Sequence, residues 1–185
     1  MNMQQPRVAP STKRANIIRT RKYFAVICRD EWGGSHFSPD GSSIAIPIKQ
    51  VSAIWIGNNL RQALLTSHDY RADYGYGPLF DERLQEARPR SAAASRNFWF
   101  GIRDEYGFKD HLAAMSKSAL AFVDWDYEET DQIRLRASRG RGGGHSAWYS
   151  HENHAKVFHV SINVTDEELG TVALQALDAC QPNYA

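Results

Sequence analysis

The chain has 185 residues, 42% of them hydrophobic and 23% charged. That usage suits one globular domain and excludes a wholly disordered chain. Its 22 Lys and Arg stand against 21 Asp and Glu, a formal charge of +1, so no overall basic field marks it for nucleic acid or a membrane surface, and no window approaches the roughly 18 apolar residues of a membrane span.

Residues 1–14, MNMQQPRVAPSTKR, carry charge but no apolar signal-peptide core. They are expected to be a disordered lead-in to a single domain over 15–185, working in the cytoplasm. Two cysteines, Cys28 and Cys180, are too few for a disulfide framework and read as small buried side chains.

Residues 16–28 are rich in β-branched and aromatic types and predict one long strand or two short ones. Trp32–Ser35 and Ser38–Gly41 are turn signals. Ser43–Ile48 predicts a strand, with Pro47 favouring an edge. Ser52 opens a helix to Ser67, with Ile56, Leu60, Ala63 and Leu64 on one face. Residues 68–96 are rich in Tyr, Gly, Pro, Arg and Ala. They read as a connection with at most one short helix near 79–87.

The second half, 97–181, begins with an expected strand at Phe98–Ile102 and a short helix over Gly107–Met115. Leu120–Tyr127 and Gln132–Ser138 predict paired strands across an acidic turn. Gly140–Gly144 reads as a flexible hairpin loop. Ala147–Ser150 and Val157–Ile162 predict strands, and Thr165–Cys180 a last helix.

Val51–Ser67 (VSAIWIGNNLRQALLTS) can be laid on Val164–Cys180 (VTDEELGTVALQALDAC) without gaps. Five positions match, Val51 with Val164, Gly57 with Gly170, Gln62 with Gln175, Ala63 with Ala176 and Leu64 with Leu177, where chance gives about one. Ser52 and Thr165 are N-cap residues, and Glu168 completes a capping box. A glycine at the same offset in both helices predicts close approach of helix to sheet, because a mid-helix Gly otherwise costs about 1 kcal/mol against Ala. The fold class is therefore α+β. The expected architecture is two pseudo-repeated strands-then-helix units (first half 15–67, second half 97–181) with antiparallel sheets covered by the helices near 52–67 and 165–180.

The ending V-T-D-E-E-L-G with Ala-Leu and a small residue behind it resembles the immunity proteins of bacterial contact-dependent growth inhibition (CDI) systems, the CdiI type. The stretch Tyr106-Gly107-Phe108-Lys109, followed by a short helix and a hairpin, is similar to that family too. The resemblance implies a non-enzymatic protein of Whirly-like fold. Such a protein binds the C-terminal toxin domain of its cognate CdiA, commonly a nuclease and in some systems a tRNase, in a 1:1 complex. It implies no cofactor, no membrane and no direct nucleic-acid partner. A single-stranded nucleic-acid-binding module is the alternative reading.

Within DWDYEETD, the residues Asp124, Asp126, Tyr127, Glu128, Glu129 and Asp131 suit phosphate mimicry in the basic groove of a nuclease. The same segment also suits a plain solvated hairpin with one face in the core. Arg134, Arg136, Arg139 and Arg141 lead into a Gly-rich stretch and His145, which suit contact with phosphate or RNA, an acidic partner face, or a long mobile hairpin, although no Gly-Lys-Ser/Thr follows as in a P-loop. His151 and His154 are three apart, but on strands that spacing points to opposite faces, so no metal site is expected. Tyr74 and Tyr76 give the connection the composition of an interface, or fold back onto the core. No Gly-x-Ser-x-Gly elbow supports catalysis.

Overall fold

The structure, a computed structural model, describes residues 11–183. Of the expected lead-in, residues 1–10 lie outside the described ones. Its last residues are ordered, because Lys13–Arg19 (β1) pairs antiparallel with Tyr23–Glu31 (β2). The β-rich segment thus makes two strands. Tyr23 to Cys28 are all buried, the mark of a central strand covered on both faces.

Ser35–Phe37 (β3) and Ile44–Pro47 (β4) both pair with the free edge of β2. Pro47 ends β4, where it costs no ladder bond. A 3-10 turn and Ala53–Thr66 (α1) follow. In the second half, Ala119–Trp125 (β5) pairs with Gln132–Arg141 (β6). Gly144–Ala147 (β7) and Val157–Ser161 (β8) both pair with the free edge of β6, and Asp166–Asp178 (α5) closes the unit.

The two halves have one topology. In each, the third strand pairs with the C-terminal part of the second and the fourth with its N-terminal part. The halves join through an antiparallel β1–β5 ladder, so the strands form one eight-stranded sheet rather than two.

α1 and α5 lie against each other on one face of the sheet. Ser52 Oγ accepts from Trp55 N at 3.1 Å, and Thr165 with Glu168 forms the full capping box. The matched glycines serve this helix pair, not the sheet. A Cβ on Gly57 would lie 1.8 Å from the carbonyl oxygen of Asp166, and one on Gly170 would lie 1.8 Å from that of Ala53. Ala53 and Asp166 are the first residues of the two helices. The contact is reciprocal, as in a two-fold interface folded into one chain.

The connection is mostly helical, where at most one short helix near 79–87 was expected. Tyr70–Tyr74 (α2) is followed by a 29-residue helix, Pro78–Tyr106 (α3). The expected strand at Phe98–Ile102 lies inside it. Ala87, Ser91, Trp99 and Ile102 are its buried stripe, which helical spacing brings to one side. Pro89 stands within the helix, and Gly107, at φ +64°, caps it. His111–Met115 (α4) is the short helix expected. With α3 it covers Ile18, Tyr23, Ala25, Ile27 and Leu120 on the opposite face of the sheet. Cys28 is buried, Cys180 half-buried, and both are free. Among the described residues no helix is long and apolar enough to cross a membrane.

Candidate functional site

Side chains alternate across β5, so Ala121 and Val123 enter the core under α1 and α5 while Phe122 and Asp124 face the other side. Asp124 is not an exposed acid. Its side chain is 3% exposed and holds three arginines. Arg14 Nη1 donates to Oδ1 at 2.5 Å, and Arg136 Nη2 donates to Oδ2 at 2.7 Å, with Arg134 at 3.4 Å. Arg14 also pairs through Nε with buried Glu31, which Arg71 approaches at 3.7 Å. The network joins β1, β2, β5 and β6, and it removes Asp124 from any surface that could mimic phosphate.

The rest of the acidic segment is the β5–β6 turn. Asp126 O accepts from the amides of Glu129 and Thr130. Asp126 Oδ1 accepts from Thr12 Oγ1 at 2.8 Å, and the Thr12 amide donates to Asp69 Oδ2 at 2.8 Å. Thr12 thereby ties the turn to the start of α2. Tyr127 packs under Lys13, whose Nζ lies 5.1 Å from the ring centre. Burial, with Glu128, Asp73 and Asp69 nearby, raises its phenol above the ordinary range. Glu128, Glu129 and Asp131 are exposed. Asp131 accepts from Ser161 Oγ and Gln132 Nε2, which lowers its carboxyl.

Tyr74 and Tyr76 divide. Tyr74 folds against Tyr70 in a small cluster with Trp32 and Ala87. Tyr76 is 75% exposed. The structure therefore brings Tyr76, α2 and the acidic turn to one end of the sheet.

Arg139 and Arg141 lie at the other end of ten-residue β6, about 30 Å away along the strand. The expected flexible loop is shorter than predicted, because β6 runs through Arg141 and β7 starts at Gly144. The turn is Gly142-Gly143, with φ +56° at Gly142. Strand structure ends at Ala147 rather than covering 147–150. Arg139 rests 5.9 Å from the ring centres of both Trp148 and Tyr149. His145 is internal. Its Nε2 lies 3.0 Å from Ser118 Oγ and its Nδ1 3.1 Å from Ser138 Oγ, and burial lowers its pKa. His151, His154 and His159 are exposed. Among the described residues no three His, Cys, Asp or Glu side chains converge as a metal site would need.

Sequence reasoning missed Arg14, Arg29 and Glu31. The alternation Asp124-x-Asp126 opposite Arg134-x-Arg136 was a readable signal for charges on one sheet face. Nothing local pointed to β1 as their neighbour.

A duplicated α+β sheet that fixes charged side chains on its open face and end loops defines a binding domain. The chain belongs to the CdiI family of CDI immunity proteins, whose pattern matches residues 13–180. No curated relative matches it. A protein of unknown function from Neisseria meningitidis is similar in structure, with a TM-score of 0.73 at 14% identity, covering 98% of this chain and 100% of that one. A CdiA-CT/CdiI toxin and immunity complex from Yersinia pseudotuberculosis contains a chain with a TM-score of 0.73 at 17% identity, covering 92% of this chain and 98% of that one. At these identities the structural likeness concerns the fold alone.

Proposed function

We propose that this immunity protein neutralises the C-terminal toxin domain of its cognate CdiA by binding it one to one at the end where the β5–β6 turn meets α2. It acts in the cytoplasm by occupying the toxin, not by catalysis. The observation that carries the choice of surface is the Thr12 tether from Asp69 to Asp126. It fixes a turn with exposed Glu128, Glu129 and Asp131 beside α2 and the exposed Tyr76. A preorganised acidic rim beside an aromatic residue suits the basic substrate groove of a nuclease, for which tRNA is a fitting substrate. The similar Yersinia chain comes from a toxin and immunity complex, which supports the partner class.

The test is stopped-flow association with the purified cognate toxin domain. Changing Glu128 and Glu129 to Gln should slow association about tenfold at low salt and less at high salt, since exposed charges act on encounter. An unchanged rate would remove the turn from the interface. Copurification of the chain with nucleic acid and no toxin would favour the single-strand-binding alternative.

A further inference from the structure

We infer that the open sheet face organised by Asp124 is a second, cationic contact that receives an acidic segment of the toxin. The inference rests on the toxin-binding reading above.

The register places one residue row across five strands. Arg29 stands opposite Arg14, Arg14 opposite Asp124, Asp124 opposite Arg134, and Arg134 opposite His159. Directly opposed residues share a face. Arg136 stands one pleat further along β6 on the same face, with its guanidinium 6.0 Å from the Phe122 ring centre. The helices α3 and α4 cover the neighbouring apolar patch, and α3 flanks the Arg29 end of the row, where its Arg88 and Ser91 line one cavity with Arg29.

The charges do not balance. Arg14, Arg71, Arg134 and Arg136 contribute four positive groups, while Asp124, Glu31 and, beside Arg71, Asp69 contribute three negative ones. Arg29, in the same row, donates only to Ser35 and has no ion-pair partner among the described residues. Acceptors are short as well. Each guanidinium carries five N–H donors, and Arg134 Nε and Arg136 Nε are buried without a partner. Asp124 is sealed in, while the side chains of Arg134 and Arg136 remain 43% and 33% exposed. The buried carboxylate therefore acts as an internal clamp. It holds the arginine stems in place and leaves outward N–H groups for an incoming carboxylate, which can take two at once. The face continues into a cavity of about 490 Å³ lined by Arg29, His36, Arg88 and Trp32, so the cationic character extends past β2.

An acidic protein segment fits better than a nucleic acid. Two residues beyond Asp124 the chain enters the acidic turn, which would repel a phosphate backbone tracking across the sheet. A folded toxin can present acid to the arginines and base to the turn.

The test uses the full chain and the cognate toxin domain. Arg134→Gln with Arg136→Gln should weaken binding at least tenfold and flatten its salt dependence. Wild-type affinity and salt slope in that variant would overturn the inference. If the variant does not fold, phenylglyoxal footprinting of the wild-type complex replaces it. Toxin should protect Arg134 and Arg136 from modification, and equal modification with and without toxin would overturn the inference. A wild-type chain that does not bind the toxin at all would instead sink the toxin-binding reading, and this inference with it.

Discussion

His145 sits with both ring nitrogens on serine hydroxyls, one from Ser118 and one from Ser138. Asn183 Oδ1 accepts from the Ser118 amide at 2.8 Å, so the last described residue closes the same cluster. Burial lowers the pKa of His145 below the ordinary 6.5. The unfolded chain then binds the proton more readily than the folded one. This contribution to stability is complete above the unfolded pKa and is lost as pH falls below it, down to the folded value. His36 is lowered for the same first reason, burial, with Arg29 and Arg88 adding to it. Both histidines therefore give the protein an acid-side loss. Urea midpoints taken at about pH 7.5 and 5.5 should fall less in His145→Gln than in wild type, with His36 leaving a residual slope. Equal falls would show that His145 keeps its proton equilibrium unchanged on folding.

The contact between α1 and α5 is an element-scale property, because each glycine meets backbone of the other helix rather than a movable side chain. A methyl at Gly57 or Gly170 can be placed only by separating the helices. Overpacking of this kind costs typically 1–3 kcal/mol, and these sites belong at or above the top of that range. Gly101, inside α3, has open space around its missing Cβ. There Ala should stabilise by about 1 kcal/mol through helix propensity. Chemical melts of the three Ala variants check both directions together. A mild effect at Gly57 would mean that the helix pair slides freely. The two helices were legible in the sequence because their signals are local, whereas their mutual contact was not, since the matched glycines read as close approach of helix to sheet. Caps, a 3.6-residue stripe and a repeated glycine all lie within 17-residue windows, as do the alternations of β5 and β6. α3 was not legible. Its buried stripe of Ala87, Ser91, Trp99 and Ile102 is thin, Pro89 interrupts it, and Phe98-Trp99-Phe100 looks like a strand. The role of Asp124 was hidden for another reason. Arg14 is 110 residues away in sequence, and no local pattern encodes a pairing over that distance.

Across the whole molecule, duplication gives the sheet two unlike ends. At one end Thr12 joins the acidic β5–β6 turn to α2, next to the arginines gathered by Asp124. At the other, Arg139 and Arg141 border the Gly142-Gly143 turn, which Asn183 Nδ2 pins through Gly143 O at 2.9 Å. Apart from Arg14, the sequence places these charges within one stretch of 18 residues, Asp124 to Arg141. The fold separates them by the length of β6, about 30 Å, roughly the width of a standard interface patch of 800 Å² per partner. A toxin centred on the first end leaves the second at its rim or beyond. Arg139→Gln with Arg141→Gln should therefore change toxin affinity less than threefold, because rim charges act weakly and mainly on encounter. Arg139 also pairs with Glu152 at 3.5 Å, a half-exposed contact whose loss costs the fold little. Calorimetric titration of this variant beside the Glu128/Glu129 and Arg134/Arg136 variants ranks the surfaces directly. A loss at the hairpin equal to that at the turn would require a partner long enough to span the sheet, and the site would then be the whole open face rather than one end.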